Sequence, residues 1–363
     1  MKKFLFLSAI AIIFAACQSK SEYTISGEVT DTSFEGQQVN LVANIDNNME
    51  TVDSTIVTNG KFAFKGNVET PVLRFLALDN ARTIVMLEPG KINVVHDTDF
   101  QVSGTPLNDT FSEFNAKQKD LNEEMMAISN QYRAAEADGT LTDELSSELR
   151  TSLNEVRGNG KVMFLDFIEN NINNELGQYM FLTSAGMFEI EEQKKILAMA
   201  SEDFKADENV KPIIARIEAA EAVAIGNNFV DITMLNPEGE TISLSDYAGK
   251  GKYVFIDFWA AWCGPCVQEM PNVVEAYKKY KDKGFEIVGV SLDQDKDKWI
   301  QGIEDMNMTW PQMSDLKLWE SEAVGLYGIR SIPHTVLLDK EGKIIAKDLR
   351  DKELHEKLAE LLD

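Results

Sequence analysis

Phe258-Trp259-Ala260-Ala261-Trp262-Cys263-Gly264-Pro265-Cys266 ends a run, from residue 253, that is apolar except for Asp257. A short apolar run broken by Gly and Pro predicts a buried strand giving way to a helix at the cysteine pair. A thiol at a helix N-terminus meets the positive end of the helix dipole and unpaired backbone N–H groups, which lower its pKa. Cys263 is therefore expected to be the attacking thiolate. Cys266, one turn further in, would resolve the mixed disulfide through which exchange runs. Pro265 suits the first helical turn, where its missing N–H costs nothing. Two other readings of the pair are a zinc half-site and an inert disulfide. Zinc would need two more ligands, and His96, His334 and His355 stand at no ligand spacing.

Asp257 interrupts the apolar run, so it is expected either in a buried layer, where burial raises its pKa, or facing solvent at a sheet edge. Glu269 follows Cys266 by three and shares its helix face. Pro271 falls inside the same helix, where proline kinks the backbone.

From residue 225 to 363, strand-like runs alternate with helical ones: 252–259, a helix from Cys263, 285–292, a helix near 299–306, 318–326, 335–339, 344–347 and a last helix from Asp351. Asp339-Lys340-Glu341-Gly342 is a hairpin signal between two strands. Such alternation predicts an α/β layer fold.

These residues resemble the thioredoxins, and more closely the membrane-associated or lipoprotein reductases of the TlpA/ResA-like, cytochrome c maturation type; the resemblance covers residues 229–363. It implies a thioredoxin-like domain, with Trp262 in the redox motif and Asp257 accepting the proton of Cys266. It also implies that Glu269, in Glu269-Met270-Pro271, tunes the thiols and meets substrate. Pro333, in Gly328-Ile329-Arg330-Ser331-Ile332-Pro333, becomes a cis proline facing the cysteines, leaving the backbone of Ile332 open to an extended substrate segment. His334 stands where relatives often have Thr, and is expected either to modulate the thiolate or contact substrate, or to be a solvated strand residue.

Upstream, residues 23–105 alternate apolar and polar positions in short runs (23–29, 39–43, 61–65, 72–78) divided by Asn59-Gly60 and Pro89-Gly90. Period-two patterning between turn signals predicts a small antiparallel β-domain with one buried face. Its stretch around Asn59-Gly60-Lys61-Phe62 is similar to a β-rich domain of unknown function in lipoproteins of Bacteroidetes-type bacteria. After Pro106 the period becomes helical, through Leu107, Phe111, Phe114, Leu121, Met125, Ile128 and Tyr132. Further helices are expected at 141–156, 162–170, 176–187, 191–200 and 210–224, making 106–224 a helical region. Its methionines, 125, 126, 163, 180, 187 and 199, are expected to fill the core.

The first 16 residues read as an export signal: Lys2 and Lys3, an apolar stretch from 4 to 14, then Ala15 and Ala16. The stretch is too short to span a bilayer. Phe14-Ala15-Ala16-Cys17 resembles a bacterial lipoprotein box, which implies lipidation of Cys17, a tether over 17–22 and a cell-envelope location with the redox domain in the periplasm. A plain secretory signal is the alternative. The chain has three cysteines, so lipidation of Cys17 leaves Cys263 and Cys266 as the thiols, a pair suited to chemistry rather than stapling.

A net charge of −25 disfavours nucleic acid as a partner. The expected partners are protein disulfide substrates, an upstream thiol donor and, through the lipid, a membrane; the pair itself serves in place of a cofactor. Reduction of disulfides in exported proteins is the leading expectation, because Gly264-Pro265 resembles the reductant thioredoxin. Oxidation or isomerisation by the same pair is one alternative. A binding lipoprotein whose residues 23–224 capture a ligand is the other.

Overall fold

The computed structural model describes residues 21–45 and 48–363; the export signal and Cys17 lie outside the described residues. The chain forms two compact units, one running to Glu189 and including Lys195–Ser201, the other comprising Ile190–Lys194 and Glu202–Asp363.

In the first unit the strands are β1 (Glu22–Val29), β2 (Gln38–Ile45), β3 (Asn48–Ile56), β4 (Lys61–Asn67), β5 (Val72–Leu78), β6 (Ala81–Leu87), β7 (Gly90–His96) and β8 (Phe100–Ser103). They make two four-stranded sheets, ordered β4-β1-β7-β8 and β3-β2-β5-β6. Alternate residues of both sheets, Ile25, Phe62, Ile92 and Val94 from one and Leu41, Leu76, Leu78 and Val85 from the other, share one core. This is the one-face burial that period-two patterning implies. The pairings are antiparallel except β1 with β7, which is parallel. A parallel pair needs a long crossover, supplied here by β2–β6; alternation marks which face is buried and carries no strand direction.

Helices α1 (Pro106–Ala137), α2 (Asp143–Asn171), α3 (Glu175–Ser184) and α4 (Ile190–Met199) follow. The two helices expected over 141–156 and 162–170 are one, α2, which runs through Gly158 and Gly160; glycine costs a helix only about 1 kcal/mol, and phenylalanine packing (Phe114 against Phe164 and Phe167) outweighs it. The methionine expectation fails in part. Met180 is buried, but Met126, Met187 and Met199 are exposed.

The second unit holds α5 (Glu202–Lys205), α6 (Lys211–Ala222), β9 (Thr233–Leu235), β10 (Thr241–Ser243), β11 (Tyr253–Trp259), α7 (Gly264–Tyr280), β12 (Phe285–Ser291), α8 (Lys296–Asp305), β13 (Gln312–Ser314), α9 (Glu322–Tyr327), β14 (His334–Leu338), β15 (Ile344–Lys347) and α10 (Asp351–Leu362). Its seven-stranded sheet is ordered β10-β9-β13-β12-β11-β14-β15, with β11 parallel to β12 and antiparallel to β14. Of the segment 318–326, the structure makes a 3-10 turn, Leu318–Glu320, and α9.

The expected boundary at residue 224 is corrected. Residues 202–224 belong with the α/β fold: Val223 lies in its core, and α6 passes so close to Gly328 that a β-carbon there would stand 3.0 Å from the Arg216 carbonyl oxygen. Among the described residues no helix is long and apolar enough to cross a membrane.

Candidate active site

Successive side chains of a strand point to opposite faces, and β11 uses both. Phe258 packs against Tyr327 of α9 and the ring of His334, whereas Asp257, facing the other way, senses the charge of Glu269 on α7. The active-site helix and the α9 layer thus cover opposite faces of the strand that delivers the motif.

Cys263 is the N-cap of α7, and its sulfur accepts the backbone N–H of Cys266 at 3.2 Å. The two cysteines form a disulfide, with sulfurs 2.07 Å apart. Cys263 retains 5 % of its surface and Cys266 1 %, so an incoming group reaches Cys263 first. The Ile332–Pro333 bond is cis, and the carbonyl oxygen of Ile332 lies 3.6 Å from the Cys263 sulfur. Arg350 donates to the carbonyl of Pro333 at 2.5 Å. Pro271 lies inside α7.

Asp257 is 3 % exposed, so of the two positions left open for it the buried one is observed. Its Oδ2 has no hydrogen-bond partner. Burial, aided by the charge of Glu269, pushes its carboxyl up to about 7, because an ion without compensating partners is disfavoured away from water. Glu269 is half-buried and engaged elsewhere as well, accepting from Asn272 Nδ2 at 2.7 Å and from the backbone N–H of Asp351 at 2.8 Å.

Trp262 is half exposed, beside Trp319 at 6.3 Å between ring centroids. His334 is held by Asp348, Nδ1 to Oδ1 at 2.7 Å. Cys263, Cys266, Pro333 and Trp262 therefore meet at one end of the sheet, Asp257 lies beneath α7, and Glu269 joins α7 to α10. Among the described residues no cluster of His, Cys, Asp and Glu side chains could hold a metal ion.

Sequence reasoning missed Asp293, a 2 % exposed carboxylate at the end of β12. It accepts the Ala261 N–H at 3.2 and 3.1 Å and the Ser291 hydroxyl at 2.8 Å. Burial raises its pKa against those bonds. The only hint was an acid directly after the apolar run 285–292. Trp319 and Arg350 were missed too, since both reach the site from loops distant in sequence.

A capping cysteine, its buried partner, a cis proline beside them and a buried carboxyl under the helix, on this sheet, define a thioredoxin-like dithiol–disulfide site. The model of the AhpC/TSA family matches residues 225–347, and that of a domain of unknown function (DUF4369) matches residues 23–111. The chain is 34% identical over 142 residues to thiol-disulfide oxidoreductase ResA of Bacillus thuringiensis subsp. konkukian, covering 39% of this chain and 79% of that one. The corresponding figures for ResA of Geobacillus thermodenitrificans are 37% over 123 residues, 34% and 68%. Among solved structures, the thioredoxin domain of a thiol-disulfide oxidoreductase from Bacteroides vulgatus is 38% identical, covering 39% of this chain and 99% of that one at a TM-score of 0.36. The chain belongs to the thiol-disulfide oxidoreductase family that includes ResA.

Proposed function

We propose that the chain reduces disulfides of exported proteins by cycling Cys263 and Cys266 between dithiol and disulfide. The observation that carries this reading is Cys263 as the N-cap of α7, its sulfur receiving the Cys266 N–H, an arrangement that stabilises a thiolate there. The Cys263 thiolate attacks one substrate sulfur, and the other leaves as a thiolate and takes a proton from solvent. Cys266 then loses its proton to Asp257 and attacks the Cys263 sulfur, forming the enzyme disulfide and releasing the second substrate thiol. A thiol donor reduces the enzyme disulfide to start the next cycle.

A base near pKa 7 suits proton transfer at neutral pH, which supports Asp257 in that role. Burial raises that pKa, and the charge of Glu269 adds to it. Trp262 and the Ile332 carbonyl beside Pro333 receive the substrate segment. The lipoprotein-like box at Phe14-Ala15-Ala16-Cys17 supports anchoring through lipid on Cys17, with the redox domain in the periplasm.

The test is the reduction potential of the pair, measured by equilibration with glutathione or dithiothreitol buffers, together with Cys263→Ser. A value near about −270 mV fits a reductant and one near about −120 mV an oxidant. Undiminished insulin reduction by Cys263→Ser would overturn the assignment.

A further inference from the structure

Two exposed tryptophans stand side by side at the redox centre. Trp262 is 50 % and Trp319 44 % exposed, their rings meeting edge to face at 61°. They border a cleft of about 760 Å³ together with Leu318, Asp293, Asp295 and Lys298. Large aromatics left adjacent in water mark a recognition surface more than a packing accident.

The loop that presents Trp319 is built at a conformational cost. Leu316 and Leu318 both adopt left-handed backbone, at φ 57° and 52°, a region in which a bulky residue is strained. The conformation is held from both ends: Ser314 Oγ accepts the Leu316 N–H at 3.1 Å, and the Asp315 carboxylate accepts the N–H groups of Lys317 at 3.3 Å and Glu322 at 3.0 Å. Strain kept by several bonds at a site's rim points to function.

The occupant follows from the neighbours. Trp262 directly precedes Cys263, and the Ile332 carbonyl flanks the same sulfur at 3.6 Å. A polypeptide whose cysteine reaches Cys263 must lay its adjoining residues over Trp262. The rim charges Lys298 and Asp295 stand 3.9 Å apart and offset one another, and Asp293 is engaged by Ala261 and Ser291. The cleft is left to select by apolar contact.

We infer that Trp319, with Trp262, is a specificity-determining residue: the two rings form a slot for an apolar or aromatic side chain next to the target cysteine of a polypeptide substrate. This rests on the dithiol cycle proposed above.

The experiment uses the reduced full chain and two synthetic peptides, each carried as a glutathione mixed disulfide and identical except for Phe or Ser beside the cysteine. The readout is the ratio of the second-order rate constants with which the reduced chain, in a single turnover, reduces the two peptides. The wild type is expected to favour the Phe peptide about tenfold, the size of a single apolar side-chain discrimination; Trp319→Ala brings the ratio close to one and Trp319→Phe restores most of it. Should circular dichroism show Trp319→Ala unfolded, Trp319→Gln serves for the same comparison. A wild-type ratio near one, or a ratio unchanged by loss of the ring, overturns the slot. A wild type that reduces neither peptide overturns the redox cycle and the slot with it, which separates that failure from one of specificity alone.

Discussion

The Glu269 carboxylate, on the active-site helix, accepts the backbone N–H of Asp351, the first residue of α10, at 2.8 Å. Arg350, at the N-cap of α10, makes no side-chain capping bond to that helix, so the cap comes from another helix. Glu269→Ala is expected to destabilise the domain by about 1 kcal/mol, the usual value of a cap. Glu269→Gln keeps an acceptor oxygen and should lose less. Both remove the charge that helps to raise Asp257, so both should lower the Asp257 pKa. Urea unfolding and a carboxyl-carbon NMR titration read the two effects separately.

Asp257 gives stability a definite slope with pH. Its folded pKa of about 7 lies above the ordinary 3.8, so between about pH 4 and pH 7 the folded chain holds a proton that the unfolded chain has released. Stability from this group is therefore greatest in acid and falls as pH rises, by at most about 1.4 kcal/mol per pH unit. Asp257→Asn should remove the slope and leave the variant more stable than the wild type at pH 8. Urea denaturation across pH 4–8 checks this; parallel curves for the two proteins would count against a buried, raised Asp257.

Gly289, paired with Asp257 across β11 and β12, leaves room for Gln312. A β-carbon there would fall 2.1 Å from Gln312 Oε1, the atom that accepts the buried Trp259 indole N–H at 3.0 Å. Gly289→Ala should destabilise by roughly 1–3 kcal/mol through overpacking and loss of that bond. A reduced urea midpoint with a blue-shifted or altered tryptophan emission is the expected result.

Asp348 titrates in the opposite sense to Asp257. Burial would raise it, but the hydrogen bond and charge of His334, with smaller help from the Thr335 backbone and the charge of Arg350, outweigh burial and hold it below its ordinary 3.8. A depressed acid stabilises the fold above its unfolded pKa, and that stability is lost as pH falls through the folded value. His334→Ala should therefore move the acid-unfolding midpoint to higher pH, as followed by tryptophan fluorescence below pH 4. An unmoved midpoint would mean that the pair contributes nothing to acid stability.

The motif at 258–266 was legible because strand, thiol and helix start are contiguous, and local propensity acts over such distances. The buried Asp257 was visible as the one charge in its run. The β-region could be read by period two, yet the parallel pairing of β1 and β7 could not, since alternation is the same in either direction. β13 was missed because three residues are too few to display a period.

By itself the sequence determined the class of most of the longer elements, the α/β character of the last third and the identity of the reacting pair, all properties of near neighbours along the chain. Only the tertiary structure decided that residues 202–224 belong with that fold, that Asp293 holds the Ala261 N–H, that Glu269 caps α10 and that Trp319 meets Trp262. Each of those contacts joins residues far apart in the chain, and their partners are chosen by packing and by the need to satisfy buried polar groups, neither of which leaves a local pattern.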